Sequence, residues 1–106
     1  MSTKKLATNA LHAGHDVANN GGARAVPIYQ TSSYVFNDAE HAANLFSLKE
    51  LGFIYTRLNN PTNQILQERL AAVEGGIGAV VFASGTSAIS TGLLTCLLYT
   101  SDAADD

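Results

Sequence analysis

The hydrophobic and polar positions divide the chain into an unpatterned start and a patterned middle. Residues 1–25 are polar and Gly-rich, ending in NALHAGHDVANNGGARA. They repeat at neither a helical nor a strand period, which predicts an extended arm. Such an arm is either mobile or laid on another surface. Residues 26–36, VPIYQTSSYVF, are rich in β-branched and aromatic types. Pro27 argues against a central strand, so this stretch reads as extended chain or an edge strand.

A helix is predicted next. Asn37 can cap it, and Glu40 three residues on completes a capping-box-like pair. Leu45, Leu48 and Leu51, with Phe46 beside them, make a short apolar stripe. Gly52 then offers a left-handed stop. After the connector FIYTRLNN comes the clearest element. Asn60 suits an N-cap and Pro61 the first helical position, whose N–H has no partner anyway. Leu66, Leu70 and Val73 follow at i, i+4, i+7, and Gly75 and Gly76 end the pattern. Residues 78–83, GAVVFA, show no alternation and predict a strand covered on both faces, as in a parallel sheet. The turn SGTS leads into a third helix over roughly 86–97. One strong strand cannot make a sheet, and each helix face has little to pack on. The chain reads as part of a larger α/β domain.

Composition narrows the class. A length of 106 residues allows one domain at most. Six Lys and Arg face nine Asp and Glu, and three of those acids are Asp102, Asp105 and Asp106. The body of the chain is therefore neutral. It lacks the basic footprint of nucleic-acid binding, and at 46% hydrophobic it is not disordered by composition. A single cysteine, Cys96, allows no internal disulfide and reads as a small buried hydrophobe. The start, MSTKKLATNA, has no apolar core for a secretory signal, and no apolar run approaches the ~18 residues of a membrane span. These readings predict a cytoplasmic protein with no membrane partner.

Residues 83–87, Ala-Ser-Gly-Thr-Ser, sit where the strand hands over to a helix. The first N–H groups of a helix have no internal partner, and the positive end of its dipole lies behind them. Gly85 lets a ligand come close, and Ser84, Thr86 and Ser87 add hydroxyls, which suits a phosphate. Ordinary turn and capping chemistry uses the same residue types and stays open. No Gly-Lys pair exists for a P-loop, and Gly76-Ile77-Gly78 precedes its strand, opposite to the dinucleotide fingerprint. Tyr55 and Arg57 lie two apart in the connector and would point the same way if it were extended. Arg binds phosphate through its planar fork, with a Tyr hydroxyl beside it. A surface Arg beside a half-buried Tyr is the plainer alternative. His12, His15 and His41 have no metal-ligand spacing, and no metal site is expected.

Together the blocks LHAGHD, GARAVPIYQTSSYVFNDAEHAANLF, IYTRLNNPTNQILQERLAAVEGG and FASGTSAI resemble the Cys/Met-metabolism family of pyridoxal-phosphate (PLP) enzymes, of fold type I. The resemblance runs in order from about residue 6 to 94. The GARAVPIYQT stretch and the EHAA-LF helix point to the O-acetylhomoserine sulfhydrylase subgroup, also called O-acetylhomoserine aminocarboxypropyltransferase. Cystathionine γ-synthase, cystathionine γ-lyase and methionine γ-lyase share the Y-x-R, N-P-T and S-G blocks and remain alternatives.

The resemblance implies a three-layer α/β/α parent with a mostly parallel sheet, of which this chain is an N-terminal piece, incomplete as a stand-alone domain. Residues 1–25 would be the arm, laid over a partner subunit, and residues 26–95 the start of the PLP-binding domain. It implies PLP as cofactor, with its phosphate held by the backbone at Gly85 and Thr86. Tyr55 and Arg57 would reach that phosphate from a neighbouring subunit of a homo-oligomer, usually a tetramer. The implied reaction is γ-replacement, from O-acetyl-L-homoserine and sulfide to L-homocysteine and acetate. None of the three lysines stands in the context of the family's Schiff-base lysine, so no catalytic residue is named and the chain alone is expected to be inactive. Residues 96–106, CLLYTSDAADD, leave the family pattern. They resemble translated sequencing-adaptor read-through and are read as a non-native tail, a divergent native end being the alternative. A short non-catalytic protein that binds a phosphate ligand or parent subunits is the remaining reading.

Overall fold

A computed structural model describes residues 5–105 of the chain, and its side chains over 5–98. Lys4 of the arm and the side chains of the tail from 99 onward lie outside the described residues. Four helices follow in order: α1 (Leu6–His12), α2 (Ala39–Phe46), α3 (Pro61–Glu74) and α4 (Gly85–Asp105). A single 3-10 turn occupies Ala18–Asn20.

The arm is not wholly extended, because α1 forms within it. Its reason is tertiary: α1 packs on α3, the one helix–helix contact among the described residues. Arg69 of α3 donates from Nε to Ala13 O at 2.9 Å, just past the end of α1. The chain turns there through Gly14, at φ 83°. A Cβ on Gly14 would lie 3.1 Å from Glu68 Cβ and 3.2 Å from Ile65 O, so only glycine permits this approach. A seven-residue helix is too short to hold itself, so no sequence period announces it.

Helix α2 begins one residue later than the capping-box spacing suggests. Asp38, not Asn37, is the N-cap, and its carboxylate accepts from His41 N–H at 2.7 Å. The Asn37 N–H is bonded instead to His41 Nδ1 at 3.1 Å. The helix also stops early. Leu48 takes a left-handed φ of 63°, so Leu48 and Leu51 leave the stripe and stand 81% and 97% exposed. Leu45 alone is a buried hydrophobic among the described residues. Gly52 serves that burial and not the helix end: a Cβ there would meet Leu45 Cδ2 at 2.8 Å.

Helix α3 follows its local signals. Asn60 Oδ1 accepts from Thr62 N–H at 2.9 Å, Pro61 opens the helix, and Gly75 closes it at φ 73°. Residues 78–83 run without a ladder partner, so the strand reading is corrected to an unpaired segment. Val80 is 72% exposed, because none of its neighbours in a sheet belongs to this stretch. Residues 26–36 likewise form only an isolated antiparallel bridge, Ser33 with Tyr55. Helix α4 is longer than expected and runs past residue 97. Its described side chains are exposed, including Ile89, Leu93, Leu94 and Cys96, which corrects the reading of Cys96 as buried.

The whole is open. Its radius of gyration is 17.0 Å, against about 13 Å for a compact chain of this length. Its accessible surface is 8520 Å², against about 5,700 Å² for a folded monomer of this mass.

Candidate functional site

Tyr55 and Arg57 meet, but through a turn and not an extended segment. Leu58 N–H and Asn59 N–H both donate to Tyr55 O, at 2.9 and 3.1 Å. The turn lays the Arg57 guanidinium over the Tyr55 ring, 5.3 Å from its centroid. Among the described residues no acceptor takes up the Arg57 fork. Both side chains line an open cavity of about 580 Å³, whose adjoining wall is residues 29–32.

That wall is fixed by a small polar network. Asn60, only 4% exposed, donates from Nδ2 to Tyr29 O at 2.9 Å and to Thr56 Oγ1 at 3.2 Å. The Thr56 hydroxyl donates onward to Thr31 O. Thr62 Oγ1 donates to Pro27 O at 3.0 Å and accepts from Tyr29 N–H at 2.9 Å. Backbone bonds from Thr56 N–H to Ser32 O and from Tyr34 N–H to Ile54 O run beside it. Sequence reasoning missed this network. Asn60 carried a visible cap signal, but nothing local marks its amide as the link between two distant segments.

Gly85 and Thr86 open α4. Ser84 caps the helix: its Oγ accepts from Ser87 N–H at 3.1 Å and lies 3.0 Å from Ser87 Oγ. The first intrahelical bond is Ala88 N–H to Ser84 O, at 3.1 Å. The N–H groups of Gly85 and Thr86 therefore precede the ladder and point outward from the positive helix end. Nothing lies within 4 Å of where a Gly85 Cβ would stand, so the approach is clear. A cleft of about 660 Å³ runs from Arg57 to Ala83, but Gly85 and Thr86 are not in its lining. Among the described residues, no group of three or more His, Cys, Asp and Glu could hold a metal ion, and no helix is long and apolar enough to cross a membrane.

Comparison with known proteins bears on this geometry. The family described as Cys/Met metabolism PLP-dependent enzyme matches residues 7–103. An O-acetyl-L-homoserine sulfhydrylase of Leptospira meyeri is 54% identical over 90 residues, 85% of this chain and 20% of that protein. An L-methionine gamma-lyase of Fusobacterium nucleatum subsp. polymorphum is 50% identical over 99 residues, 92% of this chain and 25% of that protein. A crystal structure of a putative O-acetylhomoserine (thiol)-lyase from Campylobacter jejuni superposes with a TM-score of 0.82 at 41% identity, over 87% of this chain and 23% of that one. That structure carries N'-pyridoxyl-lysine-5'-monophosphate. The chain thus spans about a fifth to a quarter of the length of these relatives.

Proposed function

This chain belongs to the Cys/Met-metabolism family of PLP-dependent enzymes, and we propose that it supplies the phosphate-binding opening of an O-acetylhomoserine sulfhydrylase. Its fold is the N-terminal part of a fold-type-I PLP enzyme, which accounts for the unpaired segment 78–83 and the uncovered α4. The parent would convert O-acetyl-L-homoserine and sulfide to L-homocysteine and acetate. The carrying observation is the pair of anion-ready donor sets: the outward N–H groups of Gly85 and Thr86, and the Arg57 fork held over Tyr55.

These donors fit the phosphate of PLP. They are all N–H groups, which a phosphate dianion can accept from, and the clear space at Gly85 admits it. When bound, PLP supplies an electron sink for carbanion chemistry next to the substrate's amino group. The chain's own part is positional. Gly85 and Thr86 would hold the phosphate through the backbone, and Ser84 keeps their N–H groups aimed by capping the helix behind them. Arg57 would add a charge-assisted fork, steadied by the Tyr55 ring. The family resemblance implies a site shared between two copies, one giving Gly85 and Thr86 and the other Tyr55 and Arg57. The identity to an L-methionine gamma-lyase supports a second reading, in which the parent eliminates instead of replacing.

Grafting separates the two readings. The matched stretch of the Leptospira meyeri sulfhydrylase, and in parallel that of the Fusobacterium gamma-lyase, would be replaced by the corresponding residues of this chain. A sulfhydrylase graft that keeps more of its host's kcat/KM supports the first reading. The reverse order favours the lyase. Loss of PLP binding in both grafts sinks the phosphate-site reading itself.

A further inference from the structure

We infer that Asn60 is a positioning residue for the phosphate site, holding the Tyr55–Arg57 turn and the adjoining wall of residues 29–32 in register; this rests on the function proposed above. Asn60 is 4% exposed, one of two buried polar residues among those described. A buried amide must find partners for its donors and its acceptor. Asn60 does so on three elements at once. Its Oδ1 accepts from Thr62 N–H in α3, and its Nδ2 donates to Tyr29 O on one cavity wall and to Thr56 Oγ1 on the other.

The network fixes the amide's orientation. Exchanging its oxygen and nitrogen would set NH2 against the Thr62 N–H and oxygen against the Tyr29 carbonyl. The Thr56 hydroxyl accepts from Asn60 and donates to Thr31 O, so this branch ends on the same 29–32 segment that the other Nδ2 bond reaches directly. Thr56 lies between Tyr55 and Arg57, so whatever holds Thr56 sets the direction of both neighbours. An N-cap needs only the Oδ1 atom. The two Nδ2 bonds are surplus to capping, and they are the ones that reach the site.

That division gives the test. Asn60→Asp keeps a capping oxygen but turns the Nδ2 donor into an acceptor facing Tyr29 O. In the apo sulfhydrylase graft, amide hydrogen exchange should quicken at Tyr29 and Thr56, while Gln64 and Leu66 of α3 keep their protection. Unchanged exchange at Tyr29 and Thr56 overturns the inference. In the apo sulfhydrylase graft, PLP affinity should fall about tenfold, the scale of one unsatisfied buried polar group. Affinity for pyridoxal, which has no phosphate, should stay the same. Thr56→Val should reproduce the loss and Thr56→Ser restore it. A merely structural role would weaken PLP and pyridoxal alike, and that result also overturns the inference. Arg57→Ala separates the two levels. If it lowers PLP affinity and Asn60→Asp does not, the inference alone fails. If Arg57→Ala has no effect on PLP affinity, the phosphate reading fails and the inference with it.

Discussion

Arg57 rests on an aromatic face and not on a carboxylate, which matters for an anion site. A carboxylate partner would occupy the guanidinium fork and cancel its charge. The Tyr55 ring, 5.3 Å away, restrains the guanidinium without using up its donors. Such a contact is worth about 0.5–1 kcal/mol at an exposed site, enough to bias a rotamer and too little to compete with a phosphate. The two side chains should therefore contribute unequally. Replacing Arg57 by Ala should weaken PLP binding to the apo graft by roughly 10- to 100-fold, the range of a charge-assisted hydrogen bond. Arg57→Lys should fall between, since it keeps the charge and loses the planar fork. Tyr55→Leu should cost only about two- to fivefold, the value of lost preorganisation. PLP titration of the three variants checks the order. A larger loss for Tyr55→Leu than for Arg57→Ala would mean that the ring, not the guanidinium, carries the contact.

Among the elements, those with complete local signals were legible and those held from a distance were not. Helix α3 has its cap, its proline and its terminal glycine within its own sequence, and the structure uses all three. Helix α2 has a leucine stripe that outlasts its hydrogen bonding, so its end lies six residues before Gly52, at Phe46. Helix α1 carries no periodic signal, because its support comes from α3, with Arg69 reaching back across 56 residues to Ala13 O. That dependence can be tested at Gly14. Gly14→Ala would place a methyl group 3.1 Å from Glu68 Cβ in a left-handed backbone conformation. Strain and overpacking together should loosen α1 from α3 by about 1–3 kcal/mol. Tryptic cleavage after Arg24 should then quicken in the apo sulfhydrylase graft, while cleavage after Arg57 should not. Equal acceleration at both sites would show a global loss of structure instead.

At the scale of the whole molecule, the sequence pattern already held the reason for the open shape. A run such as GAVVFA, apolar on both faces, is written for a sheet interior, and one such run has nothing to pair with. Val80, Ile89, Leu93 and Leu94 are accordingly exposed, as surfaces shaped for neighbours in a larger domain. The candidate site was legible in a different way. Residue pattern alone leaves both a cap and a phosphate contact open at Ser84–Ser87, and both a surface pair and a phosphate contact open at Tyr55–Arg57; the ordered set of blocks is what favours the phosphate reading proposed above. The bond of Asn60 to Tyr29 lay beyond both, because it joins positions 31 residues apart in sequence. The exposed surface has a direct consequence in solution. Apolar area of this extent on a chain with a 17.0 Å radius of gyration should drive self-association, not a stable monomer. We expect the purified 106-residue chain to bind a hydrophobic dye, to elute as associated species and to melt without a cooperative transition. We also expect no sulfide-dependent homocysteine from it, since in the proposed site Gly85, Thr86, Tyr55 and Arg57 would position a cofactor and break no bond. A compact monomer with a sharp melting transition would favour the reading as a self-sufficient binding protein, and homocysteine formation by this chain alone would refute the division of labour between the phosphate site and the chemistry.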